Sequence, residues 1–399
     1  MSQIYLNLNS LQFGIKSNYK SIIIDPRSNL YNLTYPLSLI NNSKLIINKT
    51  FNLNSIAQNE QINASLSRFN KFKKILLTSN SIIDLNNLKK LSWNGIPMEF
   101  RSISWQLLLN YLPSNNDRRA STLKRKRKEY LDSINQLFNN SNDGPIKDQT
   151  TWHQISIDVP RTNPHLKLYS YPIIQKSLER ILYLWAVRHP ASGYVQGIND
   201  LSTPFFQVFL SNYLNLDNNK NSLDNFDPSN VNQDILNAVE ADTFWCLTKL
   251  LDSIQDNYIH AQPGIIRQVN ELKDLIYRID IELANHLEKE GIEFLQFSFR
   301  WMNCLLMREL SIDNIIRMWD TYLTEGINGF SEFHIYVCAA FLVKWSDELK
   351  QMEFQDIMIF LQNPPTTNWT EEDVGVLLSE AYVWQSLYKN ASAHLKSHS

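Results

Sequence analysis

Two side chains in the middle of the chain have the chemistry to act together on an anionic centre. Arg161 lies in I-S-I-D-V-P-R-T and Gln196 in S-G-Y-V-Q-G-I-N-D, 35 residues further on. A guanidinium carries permanent positive charge in a planar fork that can reach two oxygens at once. A carboxamide accepts one hydrogen bond and donates another, so it can orient a small polar molecule such as water. Taken singly, each residue also fits a plain loop position, because most charged and polar side chains sit at the surface. Their settings are more informative. Pro160 fixes its own φ and presses Val159 away from helix, and Asp158 is near enough in sequence to bond Arg161 or nearby backbone amides. Gly197 removes a side chain where another backbone could approach, although a tight turn explains it equally well.

The elements around these loops read as helices. Between them, Leu178, Ile181, Leu182 and Trp185 recur at helical spacing and should bury one face. After the glutamine, Leu201 to Leu210 begins another apolar helix. Upstream, Met98 to Tyr111 places Phe100, Ile103, Leu107 and Leu108 near one face. On that helix Arg101 and Trp105 are four apart, so the indole can cover the guanidinium stem. The basic run Arg118 to Lys128, with K-R-K-R-K at its end, continues a helical trend through Leu123, Tyr130, Ile134 and Leu137 and reads as a solvated face. Asn139 to Thr150 is a loop around Asp143-Gly144-Pro145. The Asn- and Asp-rich stretch 212–233 reads as a variable surface insertion.

Further along, Asp242 to Leu251 resumes the core. Ile265, Ile266, Val269, Leu272, Leu275, Ile276, Ile279, Leu283 and Leu287 form one long apolar stripe. Phe294 to Met307 is too apolar for a surface helix, and Arg300 within it would be costly to bury without an ion-pair partner. Ile312 to Leu323, Phe333 to Trp345 and, beyond Pro364 and Pro365, Val374 to Leu387 add three more helices. The expected fold class is therefore all-α: a single large multi-helix domain over residues 88–389. Before it, residues 1–87 form an Asn-rich, low-complexity segment expected to be largely disordered, with Ile22 to Ile24 and Leu45 to Ile47 as isolated strand-like runs. Residues 390–399 are expected to be a disordered tail.

Composition excludes several classes. Of 399 residues, 43% are hydrophobic and 12% aromatic, enough for a sizeable core. Lys and Arg number 38 against 40 Asp and Glu, so a net charge of −2 makes nucleic acid an unlikely main partner. Cys246, Cys304 and Cys338 lie in apolar segments without a C-x-x-C pair, which argues against a disulfide framework or a zinc site. No apolar run approaches the roughly 20 residues of a membrane span, and the first residues do not resemble a signal peptide. A cytoplasmic protein is expected, with peripheral membrane contact left open. The chain lacks a phosphate-cradling G-x-x-x-x-G-K-[ST] loop, an H-E-x-x-H pair and a G-x-S-x-G elbow, so no metal and no nucleotide of its own is expected.

I-S-I-D-V-P-R-T resembles the I-x-x-D-x-x-R motif of the TBC domain of Rab GTPase-activating proteins, and Y-V-Q-G resembles its Y-x-Q-G motif. R-S-I-S-W, from Arg101 to Trp105, is similar to the arginine-tryptophan motif that opens the domain. D-T-F-W-C-L-T-K-L-L, F-S-F-R-W-M-N-C-L-L-M-R-E and R-M-W-D-T-Y-L follow in the family's order, so the resemblance covers about Leu91 to Tyr388. Within the family it is nearest to Golgi-associated yeast Rab activators and their animal relatives. The resemblance implies an all-helical TBC domain that accelerates GTP hydrolysis by a GTP-bound Rab, regulating vesicle traffic at Golgi or endosomal membranes. It implies Arg161 as an arginine finger and Gln196 as a glutamine finger, both supplied in trans. Asp158 would hold Arg161 before docking, Tyr194, Gly197 and Asn199 would shape the glutamine loop, and Arg101 and Trp105 would give support. Such a protein is an activator rather than an enzyme in the strict sense. It needs no cofactor of its own, since the partner carries GTP and Mg²⁺. The alternative is a Rab-binding scaffold or effector that docks without accelerating hydrolysis.

Overall fold

Helices account for almost all regular structure in the computed structural model, which describes residues 56–77, 82–138, 148–214 and 226–389. The strand-like runs near Ile22 and Leu45, the turn at Asp143-Gly144-Pro145, the centre of the 212–233 insertion and the tail 390–399 lie outside the described residues. In chain order the helices are α1 (Ile56–Leu76), α2 (Leu85–Ser92), α3 (Met98–Leu108), α4 (Asn116–Phe138), α5 (Gln149–Asp158), α6 (Pro172–Arg188), α7 (Ile198–Ser211) and α8 (Gln233–Ser253). They continue as α9 (Pro263–Ile279), α10 (Ile281–Lys289), α11 (Phe294–Cys304), α12 (Ile312–Thr324), α13 (His334–Val343), α14 (Ser346–Leu349), α15 (Phe354–Gln362) and α16 (Glu371–Tyr388). An isolated antiparallel bridge joins Ile82 and Asn115.

Helix α7 is the central post. Every residue from Ile198 to Leu210 is buried, the apolar ones within the core and polar ones such as Asn199, Asp200 and Thr203 through hydrogen bonds or an ion pair. It packs on α8, and α8 packs in turn on α4 and α6, while α12, α13 and α16 assemble the C-terminal half. Pro204 interrupts α7, leaving the Asp200 carbonyl without an N–H four residues later. The Thr203 hydroxyl donates to that carbonyl instead, at 2.8 Å.

The structure corrects several expectations. Helix α1 falls inside the segment read as disordered: Phe69, Phe72 and Leu76 are buried, and both phenylalanines meet Phe100 of α3. Arg68 of α1 donates to the carbonyls of Leu91 and Gly95. The domain thus begins before residue 88. A weakly charged, Asn-rich composition concealed a helix that needs only three apolar anchors.

The basic run is not a uniformly solvated face. Arg127 is buried on Asp242, with Nε to Oδ1 at 2.8 Å, and Asp242 also accepts from Tyr111 and Gln106. Lys126 lies 3.6 Å from the centre of the Trp245 ring. The long stripe after Ile265 is two helices, because Asp280 leaves helical geometry and caps α10 through the Leu283 N–H at 2.9 Å. Arg300 does pair, with Glu309, but the carboxylate is the buried member and burial raises its pKa. Arg101 and Trp105 converge on Asp320 of α12 at 3.1 and 2.7 Å, where the Ile96 N–H also donates. Their role is therefore to lock α3 onto α12, and Trp105 packs edge-on against Phe205 of α7.

Candidate functional site

Arg161 ends a 3-10 turn, Val159–Arg161, that continues directly from α5. The expected pressure of Pro160 on Val159 does not prevail. Val159 keeps helical angles, φ −58° and ψ −45°, because Pro160 occupies the first turn of the new helix, where its missing N–H is not needed. Val159 is buried and acts as the anchor, while Pro160 and Arg161 are exposed. The chain then turns back at Asn163, which adopts φ 44° and donates to Thr203 of α7 at 2.7 Å.

Gln196 is exposed immediately before α7, whose N-cap is Gly197 at φ 110°. A side chain here would be strained by that φ. It would also collide, because a Cβ would come within 2.4 Å of the Asn303 amide nitrogen. The space that the glycine leaves open is thus filled from within the chain.

A buried hydrogen-bond network fastens the two loops to each other. The Tyr194 hydroxyl donates to Asp158 Oδ2 at 2.9 Å and lies 3.2 Å from Asn199 Oδ1. Burial, followed by the neighbouring Asp158 carboxylate, raises the pKa of Tyr194, so this phenol stays protonated and remains a donor. Asn199 Oδ1 accepts from the Gly197 N–H at 2.9 Å, and Asn199 Nδ2 donates to Thr162 Oγ1 at 2.9 Å. Thr162 closes the circuit by donating to the Asp158 carbonyl at 3.1 Å. Residues flanking Arg161 are therefore bonded to residues flanking Gln196, while both central side chains point out. Among the described residues, neither the Arg161 guanidinium nor the Gln196 carboxamide has a hydrogen bond or ion pair.

The expectation that Asp158 holds Arg161 differs from this geometry: its carboxylate bonds Tyr194, and no ion pair joins it to Arg161. Asp158 joins the loops rather than restraining the guanidinium. Thr162 and Asn303 are additions that the motifs did not single out. Beneath the glutamine loop, Asp200 pairs with Arg308 at 2.8 Å, and burial raises its pKa against the opposing effect of that arginine.

The fold coincides with that of one family. Residues 98–350 match the Rab-GTPase-TBC domain family, and the chain belongs to it. It is 61% identical over 334 residues to GTPase-activating protein gyp1 of Schizosaccharomyces pombe, covering 84% of this chain and 64% of that protein. It is 51% identical over 331 residues to human TBC1 domain family member 22B, covering 83% and 64%. The crystal structure of the Ypt/Rab-GAP domain of Gyp1p aligns with a TM-score of 0.76 at 55% identity, over 81% of this chain and 99% of that one. A Chlamydomonas flagellar RabGAP TBC domain, 19% identical with a TM-score of 0.55, shares the fold. The chain spans somewhat less than two thirds of the length of these curated relatives.

Proposed function

We propose that this chain is a GTPase-activating protein that supplies Arg161 and Gln196 in trans to a GTP-bound Rab. The observation that carries the reading is the pair itself: two exposed polar side chains, without partners among the described residues, on loops tied together from below. Hydrolysis attaches a water oxygen to the γ-phosphorus as the bond to the bridging oxygen breaks and negative charge spreads over the phosphoryl oxygens. The Arg161 guanidinium offsets that charge and can reach two oxygens, and an arginine supplied in trans is worth about 10³ to 10⁵ in rate. The Gln196 amide accepts from the attacking water while donating to a neighbouring acceptor. GTP and Mg²⁺ belong to the Rab, and this chain contributes no covalent step.

The names of the relatives support an activator of this kind, and membrane association at the Golgi would follow from the same kinship. The test is single-turnover GTP hydrolysis across a panel of purified Rab proteins. At least one should be accelerated by three orders of magnitude or more, and should bind more tightly with GTP than with GDP because GTP orders its switch regions. Tight docking with no acceleration would establish the scaffold reading instead.

A further inference from the structure

We infer that Asn303 is a positioning residue for Gln196, clamping the peptide bond that aims the glutamine side chain; this rests on the reading of the site given above. The Gln196–Gly197 peptide is held at both polar ends. Its N–H donates to Asn199 Oδ1 at 2.9 Å, and its carbonyl accepts from Asn303 Nδ2 at 3.0 Å. A peptide unit is rigid and planar, so fixing both ends fixes the plane and the position of the Gln196 Cα within it, leaving only rotation about the Cα–C bond between that plane and the Cα–Cβ bond.

Asn199 is local, three residues from Gln196, whereas Asn303 arrives from the last turn of α11 across 107 positions. It is built into place. The Tyr258 hydroxyl donates to the Asn303 carbonyl at 2.8 Å. Directly beyond Cys304 the chain reverses through two buried leucines in left-handed geometry, Leu305 at φ 50° and Leu306 at φ 60°. Non-glycine residues adopt that geometry only where the surrounding structure imposes it. The Asn303 side chain is buried, yet among the described residues its Oδ1 has no hydrogen-bond partner. A buried amide half satisfied in this way is a poor choice for packing alone, since an apolar residue of similar size would bury no unpaired oxygen of its own. What Asn303 contributes is its donor, and Gly197 has no side chain where that donor passes.

The test uses the full chain with the Rab that it accelerates most among a purified panel. Asn303→Asp keeps the shape but presents an acceptor to the Gln196 carbonyl, and Asn303→Leu keeps the approximate volume without the donor. Each should lower kcat about tenfold or more while leaving KM within about twofold. In a Gln196→Ala background, either change should cause less than a twofold further loss, because Asn303 acts only through that side chain. Undiminished loss in that background, a rise in KM alone, or unchanged kcat would overturn the inference. Hydrogen exchange separates it from the functional reading. The Gly197 amide should exchange about tenfold faster in Asn303→Leu even if no Rab is accelerated by the wild type, and unchanged exchange would refute the clamp. If Asn303→Asp does not fold, Asn303→Leu with a melting temperature near wild type decides the outcome.

Discussion

The proposed chemistry depends on two exposed side chains that have no partner among the described residues, so substitution should damage rate far more than folding. Arg161→Ala should lower stimulated hydrolysis at least about 100-fold, equivalent to about 3 kcal/mol, with the melting temperature nearly unchanged. Gln196→Ala should cost a comparable amount. The double variant should fall by less than the product of the two, as groups acting on one step are non-additive. Arg161→Lys should recover little, since an ammonium keeps charge but loses the planar fork. Near-wild-type single-turnover rates for both folded alanine variants would refute the mechanism. Arg161 and Gln196 were legible in the sequence because each sits in a short motif whose neighbours are local. The network beneath was only partly legible. Tyr194, Gly197 and Asn199 belong to the glutamine motif, whereas Asn303 lies in the family-like stretch F-S-F-R-W-M-N-C-L-L-M-R-E far along the chain, where nothing local ties an Asn to the glutamine loop. The partner of Asp158 was misjudged because Arg161 is near in sequence while Tyr194 is near only in space.

Helix periodicity was legible for the long core elements α3, α4, α6 to α9, α11 to α13 and α16, but α1, α2, α5, α14 and α15 escaped it, and the interruptions and polar ties depended on packing. One tie carries a pH signature. His334, at the start of α13, is buried: its Nδ1 lies 2.8 Å from the Tyr322 hydroxyl of α12 and its Nε2 lies 2.9 Å from the Trp301 carbonyl of α11. A neutral ring satisfies both partners, accepting from the hydroxyl and donating to the carbonyl. Burial lowers its pKa from 6.5 to about 4. A depressed folded-state pKa contributes stability that is fully present above 6.5 and is lost as pH falls through 4. Between pH 7 and pH 4 the wild type should therefore lose about 3 kcal/mol more than His334→Gln by chemical denaturation, and equal losses would refute the assignment. The basic run of α4 divides in a similar manner. Changing exposed Lys124, Arg125 and Lys128 to Gln should shift stability by no more than about 0.5 kcal/mol. Arg127→Gln strands the buried Asp242 carboxylate and should cost about 3 to 5 kcal/mol. Equal denaturation midpoints for the two variants would contradict this division, which periodicity alone could not reveal.

At the scale of the whole molecule, the domain's edge depends on α1 rather than on where the family motifs begin. Those motifs start near Leu91, and few charges with many Asn residues upstream gave no reason to extend the core. In the folded chain, Phe69, Phe72 and Leu76 are nearly inaccessible to solvent at 1%, 0% and 3% exposure, and the two phenylalanines cover Phe100 of the helix that carries Arg101 and Trp105. Burying three large apolar side chains is worth about 1.5 to 3 kcal/mol each, an upper value because unfolded chains already hide some surface. The sum is a large part of the roughly 5 to 15 kcal/mol that stabilises a typical domain. A chain of residues 88–399 should therefore melt at least about 10 °C below one of residues 56–399, or be recovered insoluble with its Phe100 face uncovered. Phe72→Ala in the longer chain isolates the packing from the deletion and should cost about 3 kcal/mol or more. Melting temperatures within about 2 °C of each other for the two lengths would place α1 outside the cooperative core, and a near-neutral Phe72→Ala would locate the reason in weak packing of that ring.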